Sequence, residues 1–456
     1  MNNFSTNRRH FIKSTLTGVA AASSSGFFSI QRSLADELKS PNERMTVGLI
    51  GSGGIARSNM NSSKQWLKIV AIADVDKGRR EEFNARYALG KATLTEDYRE
   101  VIERDDVDVI HVATPDHWHT KPVIEAMLAG KDVYCEKPLT LTIDEGKLIR
   151  KVQKETGRVV QVGTQQRSQF DLFVKAMAIV AEGRLGRIQQ VQAAIGAAPS
   201  CPSLPVSQTP SGLNFDRWLG PAPKVDYRQL IDDQGESLSN CHYTFRWWYE
   251  YSGGKLTDWG AHHVDICNWA LKLNGQTEGP TSIEGVATHP VKFENGYPVQ
   301  KDRFNTATEF KFVVKYPNGT EMIIRHDTDN GVLITGEKGR IFVNRKKLVG
   351  KPVENLKHNP LPEDAIAKVY RNFPMEENNA RTAHWGNFLH CVRERKLPIS
   401  DVHSHMEMLN ICHLAGISAR FARPLKWDPV TETILEDEEA NSFLSRPYRQ
   451  GYEIEM

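Results

Sequence analysis

From residue 45 onward, short apolar runs alternate with amphipathic stretches. "MTVGLI" at 45–50 is almost wholly apolar, too short for an ordinary helix and closed by glycine. That pattern predicts a strand buried on both faces. Similar runs at 68–73, 107–113, 133–135 and 159–162 predict further strands, and a helical period over 143–156 predicts a helix among them. Strand–helix alternation of this kind predicts a doubly wound parallel sheet, α/β in class. Beyond it, β-branched or alternating runs at 188–195, 282–288, 309–316 and 321–325 predict strands of a second domain. Helices are expected at 384–393 and 406–421, packed around both domains. The Pro/Ser-rich stretch 198–214 and the segment 350–379 are expected as long loops.

The first 43 residues do not fit this scheme. Arg8-Arg9 is followed by Phe11-Ile12-Lys13, then by a weakly apolar stretch over 16–30, then by Ser33-Leu34-Ala35, a small-x-small cleavage pattern. The order predicts a twin-arginine (Tat) export signal over 1–35, a polar linker over 36–43, and a periplasmic or other extracytoplasmic destination reached through the Tat machinery. Composition adds exclusions. With 58 basic and 56 acidic side chains the formal charge is only +2, which argues against a nucleic-acid partner. No apolar run reaches the roughly 18–20 residues of a membrane span. Six scattered cysteines show no metal-type spacing; Cys201 and Cys241 flank a loop-rich region and can pair after export. His403-x-His405 lacks a third ligand, so no metal is expected.

Chemistry begins at the end of the first run. Gly51-Ser52-Gly53-Gly54-Ile55-Ala56 is a G-x-G-x-x-A turn between an expected strand and helix. Gly51 permits the tight turn, Gly53 lets backbone N–H groups approach a pyrophosphate, and Ala56 lets helix and strand pack closely. The second run ends in Asp74, placed to bind ribose hydroxyls and to repel a 2′-phosphate, which favours NAD over NADP. Arg79 and Arg80 pull the other way. Thr114, Pro115 and His119, after the 107–113 run, and Glu136, after 133–135, fall at the strand ends where ligands of such sheets sit.

"GSGGIA", "IADVD", "TPDHWH", "YCEKPLTLT", "FDRWLGPAP" and "FRWWYEYSGGKLTDWGAHHVDICNWAL" together resemble the Gfo/Idh/MocA family of oxidoreductases. The resemblance runs over nearly the whole chain after residue 43, and the C-terminal "RPLKWDPVTETI" and "RPYR" are similar to an exported bacterial branch. It implies an NAD(P)-binding Rossmann domain, placed at 44–165. A second α/β domain is implied at 166–456, with a large, open, mostly antiparallel sheet that commonly forms a dimer or tetramer interface. It also implies an active-site lysine at Lys137, an aspartate at Asp258 and a histidine at His262.

The residues themselves support those roles. Taking hydride from a secondary alcohol requires a group that stabilises alkoxide character and a base for the hydroxyl proton. Lys137, held extended before Pro138, can serve either role, since burial lowers a lysine's pKa; His262, with an unperturbed pKa near neutrality, accepts or donates the proton; Asp258 binds a hydroxyl or orients the imidazole. Helical spacing of four puts Asp258 and His262 on one face, with Asp265 near them. Asp265 more naturally fixes local bonds, and His263 points elsewhere. Trp247, Trp248 and Tyr249 are candidates for a sugar-stacking platform or for core packing, and Arg246 and Arg167 for polar substrate groups.

A carbohydrate oxidoreductase is the leading expectation. Export as a folded protein lets tightly bound NAD travel with the chain, to be recycled in place because free NAD is scarce outside. The alternatives are a glycoside hydrolase or epimerase using transient oxidation, and a non-catalytic sugar-binding relative.

Overall fold

The computed structural model describes residues 44–375 and 379–455; the expected signal and linker lie outside the described residues. Six parallel strands form the first sheet: β1 (Met45–Ile50), β2 (Leu67–Ala73), β3 (Thr93–Thr95), β4 (Val109–Val112), β5 (Asp132–Cys135) and β6 (Val160–Val162). Their order is β3-β2-β1-β4-β5-β6, the doubly wound arrangement whose direction reverses between β1 and β4. Every residue of β4 and β5 is buried, as expected for strands covered by helices on both faces. The helix Ile143–Thr156 matches its expected bounds for local reasons. Thr142 caps it by accepting from Glu145 N (3.4 Å), and Gly157 closes it in a left-handed conformation. The strand expected at 107–113 is shorter, because Val107 and Ala113 are buried loop residues rather than ladder members.

The second sheet has nine strands, in the spatial order Leu348–Val349, Gly339–Val343, Gly331–Gly336, Ile188–Ala194, Glu321–Arg325, Glu309–Lys315, Ser282–Thr288, Leu425–Asp428, Thr433–Leu435. All neighbours are antiparallel except Ile188–Ala194 with Glu321–Arg325. Along Glu309–Lys315, Phe310, Phe312 and Val314 are buried while Lys311 and Lys315 are exposed, so this sheet has one covered and one open face. The helix Gly260–Leu273 lies on the covered face: His263 Nδ1 contacts the Ala194 carbonyl at 3.0 Å.

Two late helices tie this frame together. In Ala380–Glu394, Trp385 stacks on Tyr134 of β5 at 3.9 Å, and His384 Nε2 contacts the Val162 carbonyl at 2.8 Å. In Val402–Phe421, His405 accepts from Leu139 N at 3.3 Å, just after the Lys137–Pro138 peptide. The segment 350–379 is not the continuous loop expected, since it contains the helices Lys351–Glu354 and Ala365–Val369. The six cysteines are free thiols, and no Cys201–Cys241 disulfide forms: Cys241 is sealed in a satellite core, and Cys201 Sγ accepts from Phe304 N at 3.2 Å. Among the described residues, no helix is long and apolar enough to cross a membrane, and no group of three or more His, Cys, Asp or Glu could hold a metal ion.

Candidate active site

A cleft of about 780 Å³ opens beyond the carboxyl ends of β1, β2, β4 and β5. Gly51 makes its floor possible. Its φ is +88°, and a Cβ there would stand 2.7 Å from the Ala113 carbonyl oxygen, so only glycine lets the β1 and β4 loops meet. Gly53 then starts the helix Gly54–Ser63 with no side chain capping the first turn. Those N–H groups are left facing the cleft for an anion, which is the fit a dinucleotide pyrophosphate requires. Asp74 braces the turn, accepting from Ser52 N and Ser52 Oγ at 2.7 Å each, and also lines the cleft. Gly54, Ile55, Thr114, Pro115 and Glu136 line it too. Burial pushes the Glu136 carboxyl up, while Asn59 Nδ2 donates to it at 2.7 Å.

Two of the expected cofactor residues stand behind the cleft rather than in it. Ala56 is fully buried, consistent with close helix–strand packing. His119 is buried with its ring nitrogens against the carbonyls of Pro138 (2.6 Å) and Thr114 (2.9 Å). It staples the β4 loop to the lysine loop and does not line the crevice.

At the inner end of the cleft, Lys137 Nζ forms an ion pair with Asp258 Oδ1 and donates to the Asp258 carbonyl at 2.9 Å. The Lys137–Pro138 peptide is cis. Burial works against the Asp258 carboxylate, but Lys137 and Arg246 outweigh it and hold its pKa below the ordinary range. Asp258 and His262 do not share an uninterrupted helix: Lys255–Asp258 ends, Trp259 intervenes, and Gly260–Leu273 begins. Asp258 therefore lines the cleft, while His262 sits one step deeper with 6% of its surface open. Burial first, then the charges of Lys137 and Arg345, push the imidazole well below its usual pKa. It is a neutral group, and its Nδ1 has no partner among the described residues.

The substrate candidates separate sharply. Arg246 lines the cleft and stacks on Tyr243 at 4.2 Å. Arg167 and Asp265 do not: they form a buried bidentate pair, two bonds of 2.7 Å, and the guanidinium also lies over Trp269. Trp247 and Trp248 belong to the satellite core, with Trp248 Nε1 donating to the Ser239 carbonyl at 3.2 Å. Tyr249 packs away from the cleft, its hydroxyl 3.1 Å from His289 Nε2 and its ring under Arg420. None of these three aromatic groups forms a platform in the cleft, because burial within the second domain claims each first.

Comparison with known proteins fits this geometry. Residues 45–164 match an oxidoreductase family described by its NAD-binding Rossmann fold, and residues 200–454 match that family's C-terminal alpha/beta domain. The chain belongs to the Gfo/Idh/MocA family. It is 34% identical to scyllo-inositol 2-dehydrogenase (NAD(+)) of Bacillus subtilis over 357 residues, 77% of this chain and 86% of that one. A glycosyl hydrolase family 109 protein of Shewanella sp. is 32% identical over 158 residues, 30% of this chain and 35% of that one. Several other curated relatives are matched over half or less of their own length. The aldose–aldose oxidoreductase of Caulobacter crescentus shares the fold at a TM-score of 0.57 with 17% identity, covering 84% of this chain and 99% of that one.

As a Gfo/Idh/MocA oxidoreductase the chain uses NAD, and its cleft contains three further acids that no sequence motif singled out, Glu96, Asp97 and Asp116. Asp116, inside the quoted "TPDHWH", lines the cleft beside Lys137 and accepts from Ser252 Oγ at 2.5 Å. Burial raises its pKa to about 7. The only early signal was its position after a parallel strand, where an acid is well placed to serve a site.

Proposed function

We propose that this protein oxidises a secondary alcohol of a sugar or cyclic polyol at the inner end of the cleft, keeping its dinucleotide and recycling it in place. The observation that carries the reading is the Lys137–Asp258 pair, set in the same cleft as the uncapped helix N-terminus. Bound NAD supplies the hydride acceptor. Lys137 is held by Asp258 where it can hydrogen-bond the substrate hydroxyl and stabilise alkoxide character as the carbon–hydrogen bond weakens. His262, neutral, with Nδ1 unpartnered and its pKa pushed below the near-neutral value expected, stands one step behind and passes the leaving proton on rather than holding it. Glu136 and Thr114 line the same cleft and would contact the cofactor.

The inositol dehydrogenase relative supports the alcohol chemistry, and the Arg8-Arg9 pattern supports export with the cofactor aboard. A chain released outside the cytoplasm meets little free NAD, so a second carbonyl compound is the hydride's destination. The open face of the nine-stranded sheet is the surface through which copies would assemble. The glycosyl hydrolase relative keeps a second reading in view, in which oxidation is transient and the same hydride returns.

The test is absorbance in the reduced-nicotinamide band of protein purified without added cofactor, followed on adding free sugars and polyols and then a ketose or lactone. Reduction and reoxidation within the protein support the proposal. Aryl-glycoside cleavage without net reduction favours the hydrolase reading. Purified protein free of dinucleotide overturns the recycling.

A further inference from the structure

Around the inner end of the cleft the charges do not balance. Three carboxyl groups stand there: Asp258 is paired with Lys137, while Glu136 and Asp116 accept from the neutral Asn59 and Ser252. Four more cations stand nearby, of which Arg246 lines the cleft and Lys255, Arg345 and Arg381 stand beside it. Arg246 lines the cleft on Tyr243, and Lys255 lies over the Trp259 ring at 5.7 Å. Arg345 lies over the same ring at 4.7 Å, and the Gln166 amide, turned to donate to the His262 carbonyl (3.1 Å), accepts from its Nε (3.1 Å). Arg381 opens the helix that stacks on β5 and is close enough for its charge to act on both Glu136 and His262. Among the described residues none of these four has a carboxylate within ion-pair distance.

A solvated basic surface does not account for this. The whole chain carries a formal +2, so the excess is local; Arg246, Lys255 and Arg381 are half-buried, and Arg345 is exposed. Nor does the cofactor account for it. The pyrophosphate belongs at the N-terminus of Gly54–Ser63, where Arg79 comes within 3.3 Å of the place a Gly53 Cβ would take. Like charges gathered on one side of a cleft repel unless an anion joins them.

We propose that the substrate is an acidic sugar, carrying a carboxylate or phosphate that docks among Arg345, Arg381, Arg246 and Lys255 beside Trp259 while a hydroxyl faces Lys137. This rests on the reading of the cleft as a sugar-oxidising site and adds the class of sugar. Guanidinium forks suit either oxyanion.

The experiment compares the NAD-loaded full chain on neutral sugars (glucose, myo-inositol), sugar acids (glucuronate, gluconate) and glucose 6-phosphate, following nicotinamide reduction and, separately, calorimetric binding. An acidic sugar is expected to exceed its neutral counterpart in kcat/KM by about tenfold or more, the worth of one charge-assisted bond. Arg345→Gln and Arg381→Gln should each shrink that acidic-to-neutral ratio by about tenfold, and raising the salt should shrink it in the wild type. The carboxylate and phosphate arms identify the source. Preference for neutral sugars, or a ratio untouched by either variant, overturns the inference while leaving oxidation standing. If nothing reduces the nicotinamide yet an acidic sugar binds and Arg345→Gln weakens it, the oxidation reading fails and the anion site stands. If no acidic sugar binds or reacts, the inference is wrong.

Discussion

Asp258 and Asp265 lie about two helical turns apart, and each carboxylate meets one cation, yet the two pairs serve opposite ends. Lys137 and Asp258 keep 14% and 18% of their side-chain surface open; Arg167 and Asp265 keep 3% and 1%. Lys137 binds through a single ammonium on a flexible stem, so it can exchange Asp258 for a substrate hydroxyl. The Arg167 fork grips both Asp265 oxygens, and opening it would strand two buried charges. Residue type does not distinguish a reactive pair from a structural one. Access and the geometry of the contact do.

The contrast breaks most widely at Lys137. Lys137→Met should lower kcat by about 10²–10⁴-fold with little change in the thermal midpoint, as rapid-mixing reduction of bound nicotinamide and a melting curve would report. A loss of only a few-fold would remove the lysine from the chemistry. The matching change on the buried side, Arg167→Met, should instead lower the unfolding free energy by about 3–5 kcal/mol. Replacing both partners, as Arg167→Met with Asp265→Leu, should recover much of that loss in urea titrations, because no unpaired charge remains.

Asp116 tests the same rule with pH. Its folded pKa of about 7 lies above the ordinary 3.8, so between these values the folded state keeps a proton that the unfolded chain has lost. The stability this group contributes is complete below about pH 4 and drains away as the pH rises through about 7. The total is up to about 4 kcal/mol. Asp116→Asn removes the titration, so the wild-type-minus-variant difference in urea stability should fall across that window. A difference that stays flat from pH 4.5 to 7.5 would mean Asp116 ionises as a solvated acid.

Local constraints explain what was legible. The glycine turn, Asp74 and the strands at Met45–Ile50, Ser282–Thr288 and Glu321–Arg325 were visible because turn sterics and period-two or fully apolar runs are written in consecutive residues. Lys137, Asp258 and His262 were reached through family motifs, and the fold places the first two in the cleft and the third behind it. Long-range facts were hidden. Gly331–Gly336 and Gly339–Val343 pair across a short turn, and their terminal glycines masked the strand pattern. Asp116 meets Ser252 from 136 positions away, and Arg167 meets Asp265 from 98, separations at which spacing carries no information. The two Cys residues that looked free to pair turned out to be held by a satellite core the sequence did not reveal.

That satellite core supplies the smallest test, applying the criterion of access to aromatic groups. Trp248 is 3% exposed and spends its indole N–H on the Ser239 carbonyl, whereas Tyr243, in the cleft under Arg246, is 73% exposed. A side chain buried as deeply as Trp248 cannot offer a face to a sugar ring without the core opening. Trp248→Phe keeps an aromatic ring but loses the hydrogen bond and some volume, so unfolding should ease by about 1–2 kcal/mol. The KM for any sugar the protein oxidises should stay within about twofold, since no contact to the substrate is lost. If KM rises severalfold with stability unchanged, the tryptophan reaches the substrate after all, and exposure in the free protein is then a poor guide to which aromatic groups the sugar meets.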